Sequence, residues 1–314
     1  MSVSEYFISC DWGTSNFRLR LVESQTLKVC YEHRTSVGVK SLHEQYIAQG
    51  GGDQLQFFAD YLSRELTHFP EGSRAYQIVA CGMASANIGL KNLAYASLPI
   101  TADGQSLLAE SLTLNGLQIL LVSGVKAQDS MMRGEEIQAV GLAGHLQHYE
   151  QAILLLPGTH SKHIHYADGA YHAFSTYMTG ELFDILTKQS LLASSVAASV
   201  WTADRQGAFE EGVKLGLQGQ MNSSLFKIRA KEILDGQDKK DNYYLLSGLL
   251  IGDELASLQG TNQQVVMAAA SPIFDLYRLA LNTFLPSGQL VLLGEKVQEE
   301  ALLAGQRKIL TYHE

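Results

Sequence analysis

The stretch that decides the fold reads Ile8-Ser9-Cys10-Asp11-Trp12-Gly13-Thr14-Ser15-Asn16-Phe17-Arg18-Leu19-Arg20-Leu21. Strand-forming residues lead into it, and Gly13 supplies the backbone freedom that a tight turn needs. After the turn, apolar residues alternate with Arg18 and Arg20, which is the period of a strand with one apolar and one basic face. The stretch therefore predicts a β-hairpin with a polar turn at residues 13–16.

The predicted turn carries side chains that suit a phosphate group. Thr14, Ser15 and Asn16 place hydroxyl and amide groups beside exposed backbone N–H groups, and such concave turns bind anions. Asp11 ends the first strand, where its carboxylate could hold Mg²⁺ through water. The alternative is an ordinary hairpin, because Gly, Asp, Asn and Ser are common in turns of every kind.

A second copy of the pattern reads Ile153-Leu154-Leu155-Leu156-Pro157-Gly158-Thr159-His160-Ser161-Lys162-His163-Ile164-His165-Tyr166. The two Gly-Thr pairs are 158 − 13 = 145 residues apart, close to half of the 314-residue chain. A hairpin repeated at this distance predicts two similar α/β domains facing each other across a cleft. Each domain would give one polar turn to the same phosphate chain, and the second turn offers Gly158, Thr159, His160, Ser161 and Lys162.

The composition agrees with two globular domains and excludes several function classes. Hydrophobic residues make up 46% and charged residues 18%, and 314 residues exceed what one core usually organises. The net charge of −9 argues against bulk binding to nucleic acid or to anionic membranes. No run reaches the roughly 20 apolar residues of a transmembrane helix, and the first residues lack the pattern of a signal peptide. Three widely spaced cysteines indicate reduced thiols, so we expect a cytoplasmic protein.

The first half contains further candidate elements. A buried strand is predicted at Ile78 to Met83, with a small-residue loop at its carboxyl end, where ligands bind in open α/β sheets. Residues 106–112 predict a short helix. The boundary between the domains is expected near residues 142–151, which gives domains of residues 1–146 and 147–314.

Glu135 and Glu136 follow Gly134 at a predicted helix start, and two interpretations stay open. Acidic residues in a first turn are favoured by the helix dipole, by about 0.3–1 kcal/mol. Alternatively, one of the two carboxylates projects between the domains and acts as a general base.

The second half predicts a strand from Val265 that ends in Ala268-Ala269-Ala270-Ser271, against which a planar base could lie. Gly248, in the run Leu246-Ser247-Gly248-Leu249, could let the backbone approach a ligand or only a neighbouring helix, and packing is the more frequent cause. Four histidines lie between residues 160 and 172, but the spacing lacks the further ligands of a zinc site.

Taken together, these motifs resemble the 2-dehydro-3-deoxygalactonokinase family, which lies within the sugar kinase, hsp70 and actin superfamily. The matching stretches occur in the expected order over nearly the whole chain. They are Asp11 to Arg18, Gly82-Met83, Met132-Arg133-Gly134-Glu135-Glu136, Leu156 to Lys162, Phe174 with Met178-Thr179-Gly180-Glu181-Leu182, and Leu246 to Gly252.

The resemblance implies two ribonuclease H-like (actin-like ATPase) domains around a nucleotide cleft, with the sugar acid on the amino-terminal side. It implies ATP-dependent phosphorylation of the 6-hydroxyl of 2-dehydro-3-deoxy-D-galactonate, in D-galactonate catabolism, with Mg²⁺ at Asp11. Such transfer needs neutralised phosphate charge and a carboxylate that accepts the hydroxyl proton. Glu136 is the preferred base, with Glu135 and Asp129 as the next candidates. The remaining implied contacts are Gly13, Thr14, Ser15, Asn16, Gly158, Thr159, His160, Ser161, Lys162, Gly248, Ala269, Ala270 and Ser271 for the nucleotide, and Gly82, Met83, Ser85 and either Arg18 or Arg133 for the sugar acid.

Two other functions are compatible with the same motifs. A phosphatase or polyphosphatase of the superfamily would direct water, rather than a sugar, to the phosphate. A non-catalytic actin-like ATPase would assemble instead of catalysing. The expected partners are the sugar acid and ATP, with no nucleic acid or membrane, and a homodimer is compatible with the sequence.

Overall fold

The computed structural model describes residues 4–313. The strands within this range, in chain order, are β1 (Tyr6–Trp12), β2 (Phe17–Glu23), β3 (Val29–Thr35), β4 (Ile78–Gly82), β5 (Ala96–Ser97), β6 (Ile100–Thr101), β7 (Ala109–Leu114), β8 (Leu117–Val122), β9 (Val125–Lys126), β10 (Met131–Met132), β11 (Gln151–Leu156), β12 (Ser161–Ala167), β13 (Ala170–Tyr177), β14 (Gln264–Ala268) and β15 (Leu290–Leu293). The helices are α1 (Val39–Ala48), α2 (Gln54–Glu65), α3 (Glu135–Leu142), α4 (Thr179–Lys188), α5 (Gln206–Leu217), α6 (Met221–Asp235), α7 (Lys239–Leu255), α8 (Ile273–Leu281) and α9 (Glu295–His313).

The chain forms two units. The first contains the chain as far as Glu150, together with Tyr166–Phe174 and the segment from Gln298 onward, and the second contains Gln151–His165 and Ser175–Val297. The domains predicted as residues 1–146 and 147–314 did not anticipate the two later segments of the first unit. The last helix belongs there because Gly305 lies against the backbone of Ile137 and the buried Gln306 amide donates to the Val79 carbonyl (3.1 Å).

The first unit is built on a six-stranded sheet with the order β3-β2-β1-β4-β8-β7. Strands β1, β2 and β3 form an antiparallel meander, whereas β4 runs parallel to β1 and β8 runs parallel to β4. The predicted hairpin is confirmed, since Cys10 pairs with Leu19 and the Gly13 N–H donates to the Asn16 carbonyl (2.9 Å). Its inner face buries Trp12 and Phe17, whose rings lie 4.7 Å apart.

A second six-stranded sheet has the order β15-β14-β11-β12-β13-β6, and five of its strands repeat the order of the first sheet. In it β11 lies between β12 and β14 and runs parallel to β14. The second predicted hairpin, β11 and β12, thus occupies the place that β1 and β2 hold in the first unit. The predicted α/β class with two domains of similar strand order is confirmed.

The helix predicted at residues 106–112 is wrong. This region instead contains β7, which pairs antiparallel with β8, with Leu114 opposite Leu117. Asn115 and Gly116 form the connection, and both have positive φ angles (53° and 76°). An Asn-Gly pair between two strands with alternating apolar residues is a strong hairpin signal, because both residues tolerate positive φ. The helix prediction did not take this signal into account.

Glycines hold α5 and α7 in close contact. A Cβ atom at Gly248 would lie 2.1 Å from the carbonyl oxygen of Phe209, and one at Gly252 would lie 2.3 Å from that of Val213. Gly212 and Gly216 on α5 face α7 in the same way. Packing of two helix backbones is therefore what these glycines provide. In the described part of the chain, no helix combines the length and apolar character needed to cross a lipid bilayer.

We expect Gly248→Ala to lower the free energy of unfolding by about 1–3 kcal/mol, because the new methyl group overpacks the α5–α7 contact. Urea unfolding measures this change. Gly207→Ala, on exposed α5 surface with no atom within 4 Å of the new Cβ, is the matched control. It should be neutral or stabilising by up to about 1 kcal/mol. Equal destabilisation by both substitutions would contradict the packing argument.

Candidate functional site

A cavity of about 700 Å³ lies in the second unit beside the Gly158-Thr159 turn. Helix α7 contributes Tyr243, Tyr244 and Ser247 to its wall, and Trp201 packs edge-on against Tyr244 with ring centroids 4.9 Å apart. Volume and lining are typical of small-molecule sites, which combine apolar and aromatic walls with a few polar groups. The cavity can therefore accept a planar, ring-containing ligand.

The residues predicted to contact adenosine lie near this cavity but do not line it. Gly248 faces α5, as described above, and its neighbour Ser247 lines the cavity instead. Ala269 is buried behind the end of β14, and the Ser271 hydroxyl donates to Asp275 (2.8 Å). The next residue after Ala269, Ala270 and Ser271 is Pro272, which is part of the cavity wall.

The second predicted phosphate turn has an exposed tip and a buried base. Thr159 and His160 are exposed, whereas Ser161 and Lys162 are buried. The Gly158 N–H donates to the Ser161 hydroxyl (3.3 Å), and the Lys162 ammonium donates to the His160 carbonyl (2.8 Å). Gly158 and Thr159 both line the cavity, so the turn forms part of its polar wall.

The first predicted phosphate turn borders a smaller cavity of about 360 Å³ in the first unit. Asp11, Gly13, Asn16 and Arg18 line it, and Thr14 and Ser15 are exposed on the same turn. Within residues 4–313, neither the Asp11 carboxylate nor the Arg18 guanidinium has a hydrogen-bond partner among other side chains.

Asp11 has the environment of a metal-binding carboxylate. It is partly buried, and burial raises its pKa, while the nearby positive charge of Arg20 opposes that rise. A desolvated carboxylate without a partner is a group that a divalent cation would stabilise. The donor that the sequence predicted for Mg²⁺ therefore fits that ion.

Of the substrate residues predicted in the first unit, Ser85 and Arg133 contact each other, whereas Arg18 lies apart from them at the first turn. The Arg133 guanidinium donates to the Ser85 carbonyl (2.7 Å) and hydroxyl (2.6 Å), to the Tyr95 hydroxyl (3.0 Å) and to the Leu93 carbonyl (3.3 Å). It also lies over the Tyr95 ring, 4.0 Å from the centroid. Most of its five N–H donors thus bind this protein's own loops.

Gly82 and Met83 connect β4 to Ser85. Gly82 has a φ angle of 72°, which glycine adopts without strain, and a Cβ at Gly134 would lie 3.7 Å from the Gly82 Cα. Two sequence-distant glycines thus bring the Met83 loop and the start of α3 close together.

The two predicted base candidates differ in burial. Glu136 is fully buried, and both of its oxygens accept from the Gly134 N–H (2.8 Å each). Burial, together with the charge of Glu135, raises the pKa of Glu136 to about 8, although the Gly134 N–H lowers it. Glu135 is partly exposed and accepts from the Arg133 N–H (3.1 Å). The third candidate, Asp129, is exposed between β9 and β10.

The histidines near the second turn have ordinary partners. His163 is buried and bonds Glu254 (3.1 Å), and His160 bonds Glu181. Among the residues that the structure describes, a group with metal-ligand spacing occurs elsewhere, at His33, Glu65 and His68. There His33 pairs with Glu65 (2.8 Å) and stacks on His68, which accounts for the cluster without an ion.

Sequence reasoning missed Trp201, Tyr243 and Tyr95. No periodic pattern marks them, because they reach their sites from elements distant in the chain. The pair Tyr243-Tyr244, next to the apolar run that begins at Leu245, was the one available signal.

The chain is similar to known proteins over most of its length. The model of the 2-keto-3-deoxy-galactonokinase family matches residues 11–308. A protein of Escherichia coli (strain K12) named 2-dehydro-3-deoxygalactonokinase is 31% identical over 259 residues, covering 81% of this chain and 80% of that protein. "Probable 2-dehydro-3-deoxygalactonokinase DgoK1" of Rhizobium meliloti (strain 1021) is 31% identical over 298 residues, covering 90% and 91%.

A solved structure is similar to this chain over nearly its whole length. The crystal structure of a candidate 2-dehydro-3-deoxygalactonokinase from Sinorhizobium meliloti aligns with a TM-score of 0.80 and 29% identity, covering 96% of this chain and 94% of that one. These matches agree with the resemblance inferred from the motifs and give no support to a phosphatase or a structural ATPase. The chain belongs to the 2-keto-3-deoxy-galactonokinase (2-dehydro-3-deoxygalactonokinase) family of carbohydrate kinases.

Proposed function

We propose that this protein transfers the γ-phosphoryl group of ATP to the 6-hydroxyl of 2-dehydro-3-deoxy-D-galactonate. The observation that carries the proposal is the family match over residues 11–308, joined by an aromatic cavity beside a polar turn in the second unit. The proposed location is the cytoplasm. ATP use and D-galactonate catabolism suit it, as do the free thiols of Cys10, Cys30 and Cys81. A homodimer stays a prediction.

In this proposal, the second unit binds the nucleotide. The adenine ring occupies the cavity between Trp201, Tyr244 and Pro272, and Ser247 offers it a polar contact. The phosphates lie at the Gly158-Thr159 turn, where backbone N–H groups and the exposed Thr159 hydroxyl can donate to them. Lys162 supports the turn through the His160 carbonyl. Gly248 contributes by packing rather than by contact.

The Gly13–Asn16 turn is proposed as a second phosphate-binding turn, with Mg²⁺ at Asp11. The cation would neutralise charge that develops on the transferred phosphoryl group. Thr14, Ser15 and Asn16 add hydroxyl and amide donors. Asp11 supports this assignment because it lines a cavity and its carboxylate has no hydrogen-bond partner among the side chains of residues 4–313.

The sugar acid is assigned to the first unit. Arg133 shapes that site by fixing the Ser85 loop, which carries Gly82 and Met83 at its start. Arg18 is the better of the two predicted arginines for the substrate carboxylate, because its donors are not engaged by other described residues. A guanidinium binds a carboxylate through two parallel hydrogen bonds, which would also orient the substrate.

We assign the general base to Glu135 rather than to Glu136. A base must reach the hydroxyl proton and must be ionised when it does so. Glu135 is partly exposed, whereas Glu136 is fully buried and its raised pKa favours the protonated form at neutral pH. Glu136 then holds the Arg133–Glu135 segment in place through Gly134.

A coupled ADP assay over a panel of 2-keto-3-deoxy sugar acids tests the function. We expect ATP- and Mg²⁺-dependent ADP formation with 2-dehydro-3-deoxy-D-galactonate as the preferred acceptor. Phosphate release without a sugar acid is the control. Rapid release of inorganic phosphate, with no stimulation by any acceptor, would instead indicate a phosphatase.

The assignment of the base is tested by Glu135→Gln and Glu136→Gln. The first should lower turnover at saturating substrates by about a hundredfold or more, the lower end of base catalysis, with ATP binding intact. The second should lower turnover less, because the buried side chain does not touch the substrate. The reverse order would restore Glu136 as the base, and near-normal turnover of both would move the search to Asp11 and Asp129.

The raised pKa of Glu136 predicts a pH-dependent stability. Its pKa is about 8 in the folded protein and near the ordinary glutamate value of 4.5 when unfolded, so the folded state binds the proton more tightly. Stability from this group is complete below pH 4.5 and is lost as pH rises through 8, by about 1 kcal/mol per pH unit. In urea unfolding at pH 5, 6, 7 and 8, the free energy of unfolding of Glu136→Gln should rise relative to that of the wild type as pH rises.

Glu44, an exposed glutamate on α1, supplies the control substitution Glu44→Gln. Its difference from the wild type sets the baseline at each pH for a Glu→Gln change on the surface. A difference for Glu136→Gln that does not grow with pH relative to this baseline would contradict the raised pKa.

A further inference from the structure

Glu254 is a buried acid that the proposed chemistry does not use. It lies on α7 with 2% of its surface exposed and accepts from three side chains. Its Oε2 accepts from the Thr179 hydroxyl and from the Tyr277 hydroxyl (2.6 Å), and its Oε1 bonds the His163 ring (3.1 Å). A buried carboxylate is costly unless such partners surround it, so its place in the core calls for a reason.

The hydrogen bonds of Glu254 lead to the Gly158 turn. A carboxylate only accepts, so Tyr277 donates to it, and burial and the Glu254 charge raise the pKa of Tyr277, which keeps its proton. The Tyr277 oxygen is then free to accept from the Ser161 hydroxyl (3.1 Å). Ser161 in turn accepts from the Gly158 N–H (3.3 Å). The Glu254 carboxylate thus sets the direction of each hydrogen bond along the chain from Tyr277 through Ser161 to the Gly158 N–H.

A second route runs through the start of α4. Thr179 donates to Glu254, and the next residue, Gly180, lies so close to the turn that a Cβ there would be 2.6 Å from the Gly158 carbonyl oxygen. The Glu181 N–H donates to the Thr159 carbonyl (3.1 Å). Glu254 therefore fixes both the inner face of the turn and the helix that abuts it.

We propose that Glu254 is a positioning residue that holds the Gly158–Lys162 turn in the shape required for nucleotide phosphates. It acts through Tyr277, Ser161 and Thr179 and does not itself line the cavity, whereas Tyr277 and Thr179 do. The inference rests on the proposed binding of ATP at this turn. The competing interpretation is that the buried network serves only the stability of the second unit.

The test compares Glu254→Gln with the wild type. The amide keeps the shape of the side chain but removes its negative charge, so the hydrogen bonds from Tyr277 and Thr179 lose the extra strength that an ionised acceptor gives them. We expect the KM and Kd for ATP to rise about tenfold or more, a loss typical of a hydrogen bond to a charged group. The KM for the sugar acid should stay within about twofold, since a displaced turn affects the nucleotide alone.

Asn242→Ala provides the matched control. Asn242 is fully buried on the same helix and donates to the carbonyls of Ser195 and Ile228 (3.0 Å each), away from the turn. It should lower the thermal unfolding temperature and leave the KM for ATP unchanged. If Glu254→Gln behaves in the same way, the role is structural and the proposal is overturned.

Tyr277→Phe keeps the test decisive if Glu254→Gln does not fold. It removes the hydroxyl that joins Ser161 to Glu254 and should also raise the Kd for ATP, measured calorimetrically. Where Glu254→Gln does fold, the effects of the two substitutions in the double variant should be less than additive, because they break one chain of bonds. Unchanged ATP binding by Tyr277→Phe contradicts the proposal. Failure of the wild type to bind ATP would overturn the proposed function itself, which separates the two ideas.

Discussion

The structure depends on the pairing of one central strand with partners on both sides. In the first unit β1 lies between β2 and β4, and in the second unit β11 lies between β12 and β14. A strand held on both edges cannot shift its register without turning its buried face outward. The Gly13 and Gly158 turns therefore follow the carboxyl ends of strands that are paired on both edges. A polar turn on such a strand keeps its N–H groups in place before a ligand arrives, which lowers the cost of binding.

Each unit then buries a carboxylate close to the groups that are proposed to act. Glu136 is bonded to Gly134 at the start of α3, where Gly134 has a φ angle of 109°. Glu254 accepts hydrogen bonds from side chains on β12, α4 and α8. Glu136 holds the loop that leads into α3, and Glu254 holds residues that contact the Gly158 turn. An apolar side chain could fill the same volume but could not accept from N–H and O–H groups, and such groups are costly to bury without partners.

The glycines illustrate how one pattern serves different purposes. Gly82 and Gly134 adopt positive φ angles and bring two loops of the first unit together. Gly248 and Gly252 instead allow α7 to contact α5 through the backbone. That contact orients α7, and α7 presents Tyr243, Tyr244 and Ser247 to the cavity. Gly248 and Gly252 thus support the proposed nucleotide site indirectly, by packing α7 against α5 rather than by contacting the ligand.

The sequence by itself determined the architecture. Alternating apolar residues around Gly13 and Gly158 specified two hairpins, and their spacing indicated the repeat, because strand period and turn chemistry are local properties. Local signals were also sufficient for the Asn115-Gly116 hairpin, which was missed only because the turn was not recognised. Tertiary structure alone decided which side of Gly248 faces a helix, which of Glu135 and Glu136 is buried, and that Arg133 is engaged by Ser85 and Tyr95. Burial and partner choice depend on residues far apart in the chain, and no local period records them.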